Sequence, residues 1–239
     1  MKAMILAAGK GERLRPLTDT VPKPMIPVSG KPILEHVVRL LVGHGFDQIA
    51  INLHHMPETI RNHFGDGSGL GARVSYSDEE DLCGTAGAVK RIADFFDEPF
   101  LVYYGDNLSN VDLTDFWSAH AARQQEATIG LAYMDDPTSR GIVELDADSQ
   151  ITRFIEKPSI EEVFEDYHVN AGVYALEPQI LDRIPNGVVD FARDVFPEML
   201  ASDAGIYGHR LVGQVLSTDT PERYDDTCQR VASGDFRLP

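Results

Sequence analysis

Short apolar runs alternate with helical segments along the first half of the chain. Residues 4–6, 49–53, 74–76 and 100–104 are rich in strand-forming side chains and predict buried strands. Between them, apolar positions spaced three and four residues apart predict helices over residues 32–44, 57–64 and 86–96. This order predicts an α/β fold with a mostly parallel sheet, in which ligands bind at the carboxyl ends of the strands.

The second half has a different pattern. Apolar runs at residues 127–133, 141–145, 151–155 and 169–176 are separated by short polar turns, which indicates hairpins or a mixed sheet. Helical patterns follow at residues 178–184, 191–200 and 221–231, and residues 234–239 are expected to be frayed. Because no low-complexity linker divides the halves, we predict a single domain over residues 1–239.

Composition narrows the classes of partner. With 21 Lys and Arg against 38 Asp and Glu, the net charge of −17 disfavours a nucleic-acid partner. Cys83 and Cys228 match no metal or redox spacing, and no segment resembles a signal peptide or a membrane span. The sequence therefore predicts a cytoplasmic protein with free thiols and no membrane partner.

A glycine-rich loop directly follows the first predicted strand, with the sequence LAAGKGERLRPLT over residues 6–18. Small residues there let backbone N–H groups approach a ligand, and Lys10, Arg13 and Arg15 could neutralise a polyphosphate. The Rossmann glycine pattern fails because Leu14 follows Arg13, and the P-loop ending is absent. A phosphate-binding loop is favoured; a turn with solvated basic residues is the alternative.

Further polar residues follow other strands. Asp106 comes after residues 100–104, where a carboxylate could hold Mg²⁺ beside phosphates or could simply begin a turn. In GTAG over residues 84–87, Thr85 could cap the following helix while the glycines face a nucleoside. Lys157 could contact a phosphate, and Glu156 and Asn170 could bind hydroxyls. Taken singly, each of these three is more typical of a surface or turn residue.

Two other polar segments have simpler interpretations. The acidic residues 78–81 are interpreted as a solvated loop. His54 and His55 lack a third ligand at a plausible spacing, which disfavours a metal site.

Six segments in order resemble the sugar-1-phosphate nucleotidyltransferases, the NDP-sugar pyrophosphorylase family. They are residues 6–17, PKP at 22–24, GTAG at 84–87, GD at 105–106, EKP at 156–158 and NAG at 170–172. The resemblance runs from Met1 to about Tyr224 and implies a Rossmann-like, mostly parallel mixed sheet with helices on both faces. It also implies a nucleotide-binding first half, a sugar-phosphate-binding second half and a short form without a β-helix domain.

The resemblance implies a Mg²⁺-dependent attack by a sugar-1-phosphate oxygen on the α-phosphorus of an NTP, with pyrophosphate leaving. Arg13 would steady the pyrophosphate, Lys23 would contact the α-phosphate and Asp106 would bind the metal. The implied nucleotide-binding residues are Leu6, Ala8, Gly9, Gly11, Gly84 and Thr85, and the implied sugar-phosphate-binding residues are Gly141, Glu156, Lys157 and Asn170. Short members often form dimers, so the resemblance allows a homodimer.

The second metal ligand departs from the family pattern. The family's Asp-x-Gly-Thr-Pro-Glu-x-Tyr is matched by STDTPERY over residues 217–224, so either Ser217 or Asp219 takes the ligand position. We predict Asp219, because a similar compact form occurs in the cytidylyltransferase branch. If Ser217 is the equivalent, the protein is a catalytically weak sugar-nucleotide-binding protein.

Substrate choice has a favoured interpretation and an alternative. Residues 190–197, DFARDVFP, resemble guanylyltransferases acting on mannose- or heptose-1-phosphate, which favours GTP. Residues 52–55, NLHH, resemble short uridylyltransferases, so UTP or dTTP is the alternative. A nicotinamide-dependent dehydrogenase is disfavoured by the missing third glycine.

Overall fold

The computed structural model describes residues 1–123, 125–134, 136–202 and 204–239. Within these ranges the strands are β1 (Lys2–Leu6), β2 (Pro27–Val28), β3 (Lys31–Pro32), β4 (Gln48–Leu53), β5 (Arg73–Asp78), β6 (Phe100–Tyr104), β7 (Asn107–Ser109), β8 (Ala127–Ala132), β9 (Gly141–Leu145), β10 (Ile151–Glu156), β11 (His168–Leu176), β12 (Ile206–Arg210) and β13 (Val215–Ser217). The α-helices are α1 (Ile33–Gly43), α2 (Pro57–Phe64), α3 (Gly84–Arg91), α4 (Leu113–Arg123), α5 (Ile180–Arg183), α6 (Phe196–Ala201) and α7 (Pro221–Ser233).

The described residues divide into two compact units, each built from separated segments. The first unit contains Met1–Leu82, Tyr103–Leu113 and Gly213–Pro239, and the second contains Cys83–Val102 and Thr114–Val212. This division does not test the predicted assignment of one domain to residues 1–239, which stays a prediction. No helix in the described ranges is long and apolar enough to cross a membrane.

In the first unit, strands β1, β4 and β5 lie side by side in that order. β1 pairs in parallel with β4, so Leu6 lies beside Asn52, and β4 pairs in parallel with β5, so Leu53 lies beside Asp78. Parallel pairing brings the carboxyl ends of these strands to one edge of the sheet. The loops that follow β1, β4 and β5 therefore begin at that edge.

Helix α1 supplies much of the apolar cover in this unit. Its stripe is fully or almost fully buried and consists of Ile33, Leu34, Val37, Val38, Leu40 and Leu41. Pro32 stands at its N-cap, where its fixed φ suits a helix start and its missing N–H costs nothing. The helix predicted from the spacing of apolar residues is thereby confirmed within one residue at each end.

The C-terminal tail is packed rather than frayed, so the prediction for residues 234–239 was wrong. Phe236 is 2% exposed and belongs to an apolar cluster with Leu14, Ile26, Val28, Ile33, Leu108 and Leu216. Its N–H donates to Arg230 O at 3.0 Å, and Leu238 packs against the same cluster. A buried aromatic side chain provides the free energy that offsets the entropy of ordering this tail.

The second unit carries the mixed part of the fold. β9 pairs antiparallel with β10 and with β11, β11 pairs antiparallel with β8, and β8 pairs in parallel with β12. β11 is bulged between Asn170 and Tyr174, where Gly172 adopts a φ of 71°. The α/β class with a mixed sheet is thus confirmed. Helix α4 and strands β2, β3, β7, β12 and β13 were not predicted.

His120, on α4, makes the stability of the protein depend on pH. Its imidazole is buried, with Nδ1 at 2.9 Å from Thr128 Oγ1. Burial lowers the His120 pKa from 6.5 to about 4. The unfolded chain therefore binds a proton more readily than the folded one as the pH falls below 6.5. The contribution of His120 to the free energy of unfolding is fully present above pH 6.5. It is lost as the pH falls towards 4, a loss of about 3 kcal/mol.

Urea unfolding at pH 7 and pH 4.5 measures this effect. We expect the wild-type free energy of unfolding to fall more steeply with pH than that of His120→Gln, which cannot titrate in this window. Equal pH dependence in the two proteins would refute the assignment to His120.

Candidate active site

The loop after β1 is held close to Lys23 by a glycine in the left-handed region. Gly11 has a φ of 65°, and a Cβ atom there would lie 2.8 Å from Lys23 Cβ and 2.9 Å from Thr18 Cγ2. Thr18 Oγ1 donates to Gly11 O at 2.9 Å. Any side chain at residue 11 would push the loop away from Lys23. A larger side chain is excluded there both by space and by backbone conformation.

The outer part of the same loop faces solvent. Gly9 and Lys10 are exposed, and a Cβ atom on Gly9 would meet nothing within 4 Å. Ala8 is buried and Leu6, at the end of β1, is half-buried. The loop therefore offers backbone at its outer side while its inner side is packed, as a phosphate-binding loop requires.

Asp106 is placed by the close approach of Gly105 to the end of β1. Gly105 donates its N–H to Leu6 O at 2.9 Å, and a Cβ atom on Gly105 would lie 2.8 Å from Ile5 Cγ2. Only glycine permits this approach without displacement of β1. Asp106 follows immediately, with 29% of its side chain exposed. The carboxylate thus stands at the carboxyl edge of the parallel strands.

A short antiparallel strand pair brings the C-terminal segment to Asp106. β13 pairs antiparallel with β7, with Ser217 opposite Asn107, and Thr218 Oγ1 donates to Asp106 O at 3.0 Å. Ser217 Oγ donates to Asp219 Oδ2 at 2.8 Å. Ser217 and Asp219 were the two candidates for the second ligand position. The Asp219 carboxylate lies towards Asp106, and the Ser217 hydroxyl orients it by a hydrogen bond.

Lys23 joins the two carboxylates. Its Nζ donates to Asp106 Oδ2 at 2.5 Å and also to Asp219 Oδ1. Only 8% of the Lys23 side chain and 10% of the Asp219 side chain are exposed. Burial lowers the Lys23 pKa, but the charges of Asp106 and Asp219 and their hydrogen bonds outweigh it, so the pKa is raised above 10.5. Lys23 is therefore a permanent cation at neutral pH.

Two guanidinium groups flank this cluster from the outside. Arg13 Nη2 lies 3.6 Å from Asp219 Oδ1, and Arg223 Nη1 lies 4.0 Å from Asp219 Oδ2. The Arg13 side chain is 62% exposed, so it can turn towards a ligand in solvent. The first unit thus brings together the residues that the resemblance assigned to catalysis or metal binding, which are Arg13, Lys23, Asp106 and Asp219.

The donor set suits Mg²⁺ bound together with a polyphosphate. In the described ranges no three His, Cys, Asp or Glu residues gather into a group able to hold a metal by themselves. Mg²⁺ prefers oxygen ligands and is commonly held by one or two carboxylates, with phosphate oxygens and waters completing its shell. Asp106 and Asp219 meet that requirement.

In the second unit, the start of α3 is closed by a neighbouring segment. Ala86 and Gly87 donate their N–H groups to Val189 O at 2.9 and 3.0 Å. Gly84 has a φ of 75°, and a Cβ atom there would collide with the same carbonyl. The amides of Ala86 and Gly87 therefore have hydrogen-bond partners within the protein. Gly84 and Gly87 have no side chain, which leaves room for the backbone around residue 189 to approach α3.

The prediction that Thr85 caps α3 was wrong. The helix begins at Gly84, and its N-cap residue, Cys83, makes no side-chain capping bond. Thr85 Oγ1 instead donates to Asp190 Oδ2 and accepts the Phe191 N–H, both at 2.9 Å. The hydroxyl joins α3 to the DFARDVFP segment because the Val189 carbonyl already occupies the helix start.

The predicted sugar-phosphate residues of the second unit lie on adjacent strands. Gly141 of β9 is paired with Glu156 of β10, and a Cβ atom on Gly141 would lie 2.8 Å from Glu156 Oε2. Asn170 of β11 follows Val169, which is paired with Ile142 next to Gly141. Strand pairing thus gathers Gly141, Glu156 and Asn170 at one end of these strands.

Burial and charges of both signs act on the carboxyl group of Glu156. Burial raises the Glu156 pKa, and the Asp190 carboxylate adds to this while nearby Lys157 opposes it. Lys157 is exposed, with its N–H donating to Arg140 O at 3.1 Å. Asn170 uses its amide within β11, where Nδ2 donates to Tyr174 Oη and Oδ1 accepts the Gly172 N–H, both at 2.9 Å. Asn170 therefore also holds the bulge.

Two buried polar residues at the edge of the first unit, Asn52 and Glu79, were missed as candidate functional residues. Glu79 is 4% exposed, so the interpretation of residues 78–81 as a solvated loop was wrong at this position. Its Oε1 accepts from Asn52 Nδ2 at 2.7 Å. A polar residue inside the apolar run of β4 was the signal available in the sequence, because a buried amide in a strand requires buried partners.

Comparison with known proteins identifies similar sequences over most of the chain. A family model described as nucleotidyl transferase matches residues 2–213. The UTP–glucose-1-phosphate uridylyltransferase of Synechocystis sp. is 40% identical over 222 residues, covering 87% of this chain and 57% of that protein. The mannose-1-phosphate guanylyltransferase of Mycobacterium tuberculosis is 36% identical over 225 residues, covering 93% and 62%. The chain thus spans less than two thirds of either relative.

Solved structures share the fold. HddC from Yersinia pseudotuberculosis complexed with GMP-PN matches with a TM-score of 0.81 and 24% identity, covering 96% of this chain and 98% of that one. A UDP-glucose pyrophosphorylase complexed with UDP-glucose matches with a TM-score of 0.83 and 20% identity, covering 98% of each chain.

Proposed function

The chain belongs to the nucleotidyl transferase family, and we propose that it transfers a nucleotidyl group from an NTP to a sugar-1-phosphate, with release of pyrophosphate. The observation that carries this proposal is the cluster of Lys23, Asp106 and Asp219 beside the loop that Gly11 shapes. A cation between two carboxylates, next to exposed loop backbone, provides the charges that a triphosphate and its metal require.

The residues of the first unit have distinct roles in this proposal. Asp106 and Asp219 would hold Mg²⁺, which would supply positive charge to offset the negative charge of the phosphates during transfer. Lys23 keeps its proton, so it contributes a fixed positive charge to the α-phosphate. Arg13 is exposed and loosely paired with Asp219, so it can contact the departing pyrophosphate. Backbone at Leu6, Ala8, Gly9 and Gly11 would follow the phosphates.

The residues of the second unit are proposed for the remaining contacts. Gly84 and Thr85 would contribute to nucleoside binding through their local backbone. Gly141, Glu156, Lys157 and Asn170 would bind the sugar phosphate, with Lys157 exposed for an anionic group and Glu156 accepting from sugar hydroxyls. Their support is the resemblance together with the strand pairing that gathers three of them.

GTP with a mannose- or heptose-type sugar-1-phosphate is the proposed substrate pair. The relative from M. tuberculosis bears the name of a mannose-1-phosphate guanylyltransferase, which supports this choice. UTP with glucose-1-phosphate is the second candidate, because the relative from Synechocystis is the more similar of the two at 40% identity. The homodimer and the cytoplasmic location stay predictions.

Pyrophosphate release in the presence of Mg²⁺ tests the proposal directly. GTP, UTP, dTTP, CTP and ATP would each be combined with mannose-, glucose-, N-acetylglucosamine- and heptose-1-phosphate. We expect one pair to exceed the others clearly, with GTP and mannose-1-phosphate as the first choice. Binding of NTPs without turnover in any combination would instead indicate a sugar-nucleotide-binding protein, and an absence of both would overturn the proposal.

A further inference from the structure

A row of buried polar groups lies behind the start of the glycine-rich loop. Asn52 Oδ1 accepts the Ala7 N–H at 2.7 Å, and Asn52 Nδ2 donates to Glu79 Oε1 at 2.7 Å. Ala7, Asn52 and Glu79 are each 4% exposed. Three buried polar groups joined by short bonds form a connected network in a setting where unsatisfied groups are costly.

The Ala7 N–H determines how Asn52 is oriented. An asparagine amide can face either way, but a backbone N–H only donates hydrogen bonds, so it selects the amide oxygen of Asn52. The NH₂ group of Asn52 is thereby turned towards Glu79, whose Oε1 accepts from it. Ala7 lies just beyond the end of β1, so the Asn52 side chain takes the place of a backbone partner there.

The same row continues to the carboxylate cluster. Leu6 O accepts the Gly105 N–H at 2.9 Å, and Gly105 immediately precedes Asp106. The first two residues of the loop segment are thus fixed on both sides, by Asn52 at the Ala7 N–H and by Gly105 at the Leu6 carbonyl. Displacement of Ala7 would move the loop relative to Asp106.

We propose that Asn52 and Glu79 are positioning residues that fix the start of the glycine-rich loop and thereby its binding of the triphosphate. This proposal rests on the proposed function for its kinetic part. Neither side chain is expected to touch the reacting atoms. Loss of the row should therefore raise the KM for the NTP more than it lowers kcat, and should leave the KM for the sugar-1-phosphate nearly unchanged.

An exchange of the two side-chain types tests the row. Asn52→Asp places a carboxylate against Glu79, and we expect the KM for the NTP to rise about tenfold because the bond to Glu79 is lost. The double variant Asn52→Asp/Glu79→Gln restores a donor opposite an acceptor and leaves an oxygen for the Ala7 N–H. We expect it to return to within about threefold of the wild-type KM. Failure of the double variant to improve on Asn52→Asp would overturn the proposal.

Hydrogen exchange at Ala7 provides a readout that does not depend on turnover. We expect its amide to exchange at least about tenfold faster in Asn52→Asp and to be protected again in the double variant. Thr128→Val is the matched control, because it removes a buried hydroxyl partner of His120 in the second unit. It should lower the melting temperature without changing either the Ala7 exchange or the KM for the NTP.

The two readouts separate the proposals. The wild type could transfer no nucleotide while the Ala7 amide still exchanges faster in Asn52→Asp and is protected again in the double variant. In that case the proposed function fails, but the role of Asn52 and Glu79 in fixing the loop stands. If exchange changes and the KM for the NTP does not, positioning of the triphosphate is refuted.

Discussion

Asp219→Asn is expected to reduce the rate of pyrophosphate release by about a hundredfold or more, as the loss of a single electrostatic stabiliser in an active site commonly does. The Asp219 carboxylate shares the Lys23 ammonium with Asp106, so its charge belongs to the cluster proposed to hold Mg²⁺. An amide of the same size keeps the shape and removes the charge. Steady-state kinetics at saturating Mg²⁺ measure the loss.

Ser217→Ala is the matched control for this prediction. Ser217 donates to Asp219 Oδ2, so its removal should loosen the carboxylate and lower the rate by no more than about threefold. An equal loss of rate in the two variants would contradict the assignment of Asp219 to the second ligand position. It would favour the hypothesis that Ser217 is the equivalent of the family's aspartate.

Lys23→Met is expected to reduce the rate by about a hundredfold and also to destabilise the metal-free protein by about 3 kcal/mol, because two neighbouring carboxylates lose their shared cation. The Asp219 side chain is only 10% exposed, so water cannot fully compensate it. Mg²⁺ supplies positive charge at the same carboxylates. It should therefore raise the melting temperature of Lys23→Met more than that of the wild type.

Lys23→Arg separates charge from geometry. The guanidinium keeps the positive charge, so stability should remain near that of the wild type, while the larger planar group should still impair transfer. If Lys23→Met is as stable as the wild type without metal, the two carboxylates do not depend on Lys23, and the electrostatic account of the cluster is wrong.

Several elements could be predicted because their patterns are local. The bounds of α2 and β6 match the predicted ranges, because apolar spacing marks the buried face of α2 and a continuous apolar run marks the buried strand β6. The glycine-rich loop, Lys23 and Asp106 were identified from motif order. Strand β13 has only three residues, so its pairing with β7 had no periodic signal in the sequence.

The sequence by itself determined the α/β class and the positions of the principal strands and helices, because these depend on local pattern, and the ordered motifs pointed to Arg13, Lys23 and Asp106. The choice between Ser217 and Asp219 stayed open until the fold brought the Asp219 carboxylate to Lys23. Only the tertiary structure decided that Glu79 is buried, that Thr85 contacts Asp190 instead of capping α3, and that Phe236 fixes the tail. These outcomes depend on partners tens of residues away, and the free energy of a polar or apolar group is set by what covers it, which chain order does not reveal.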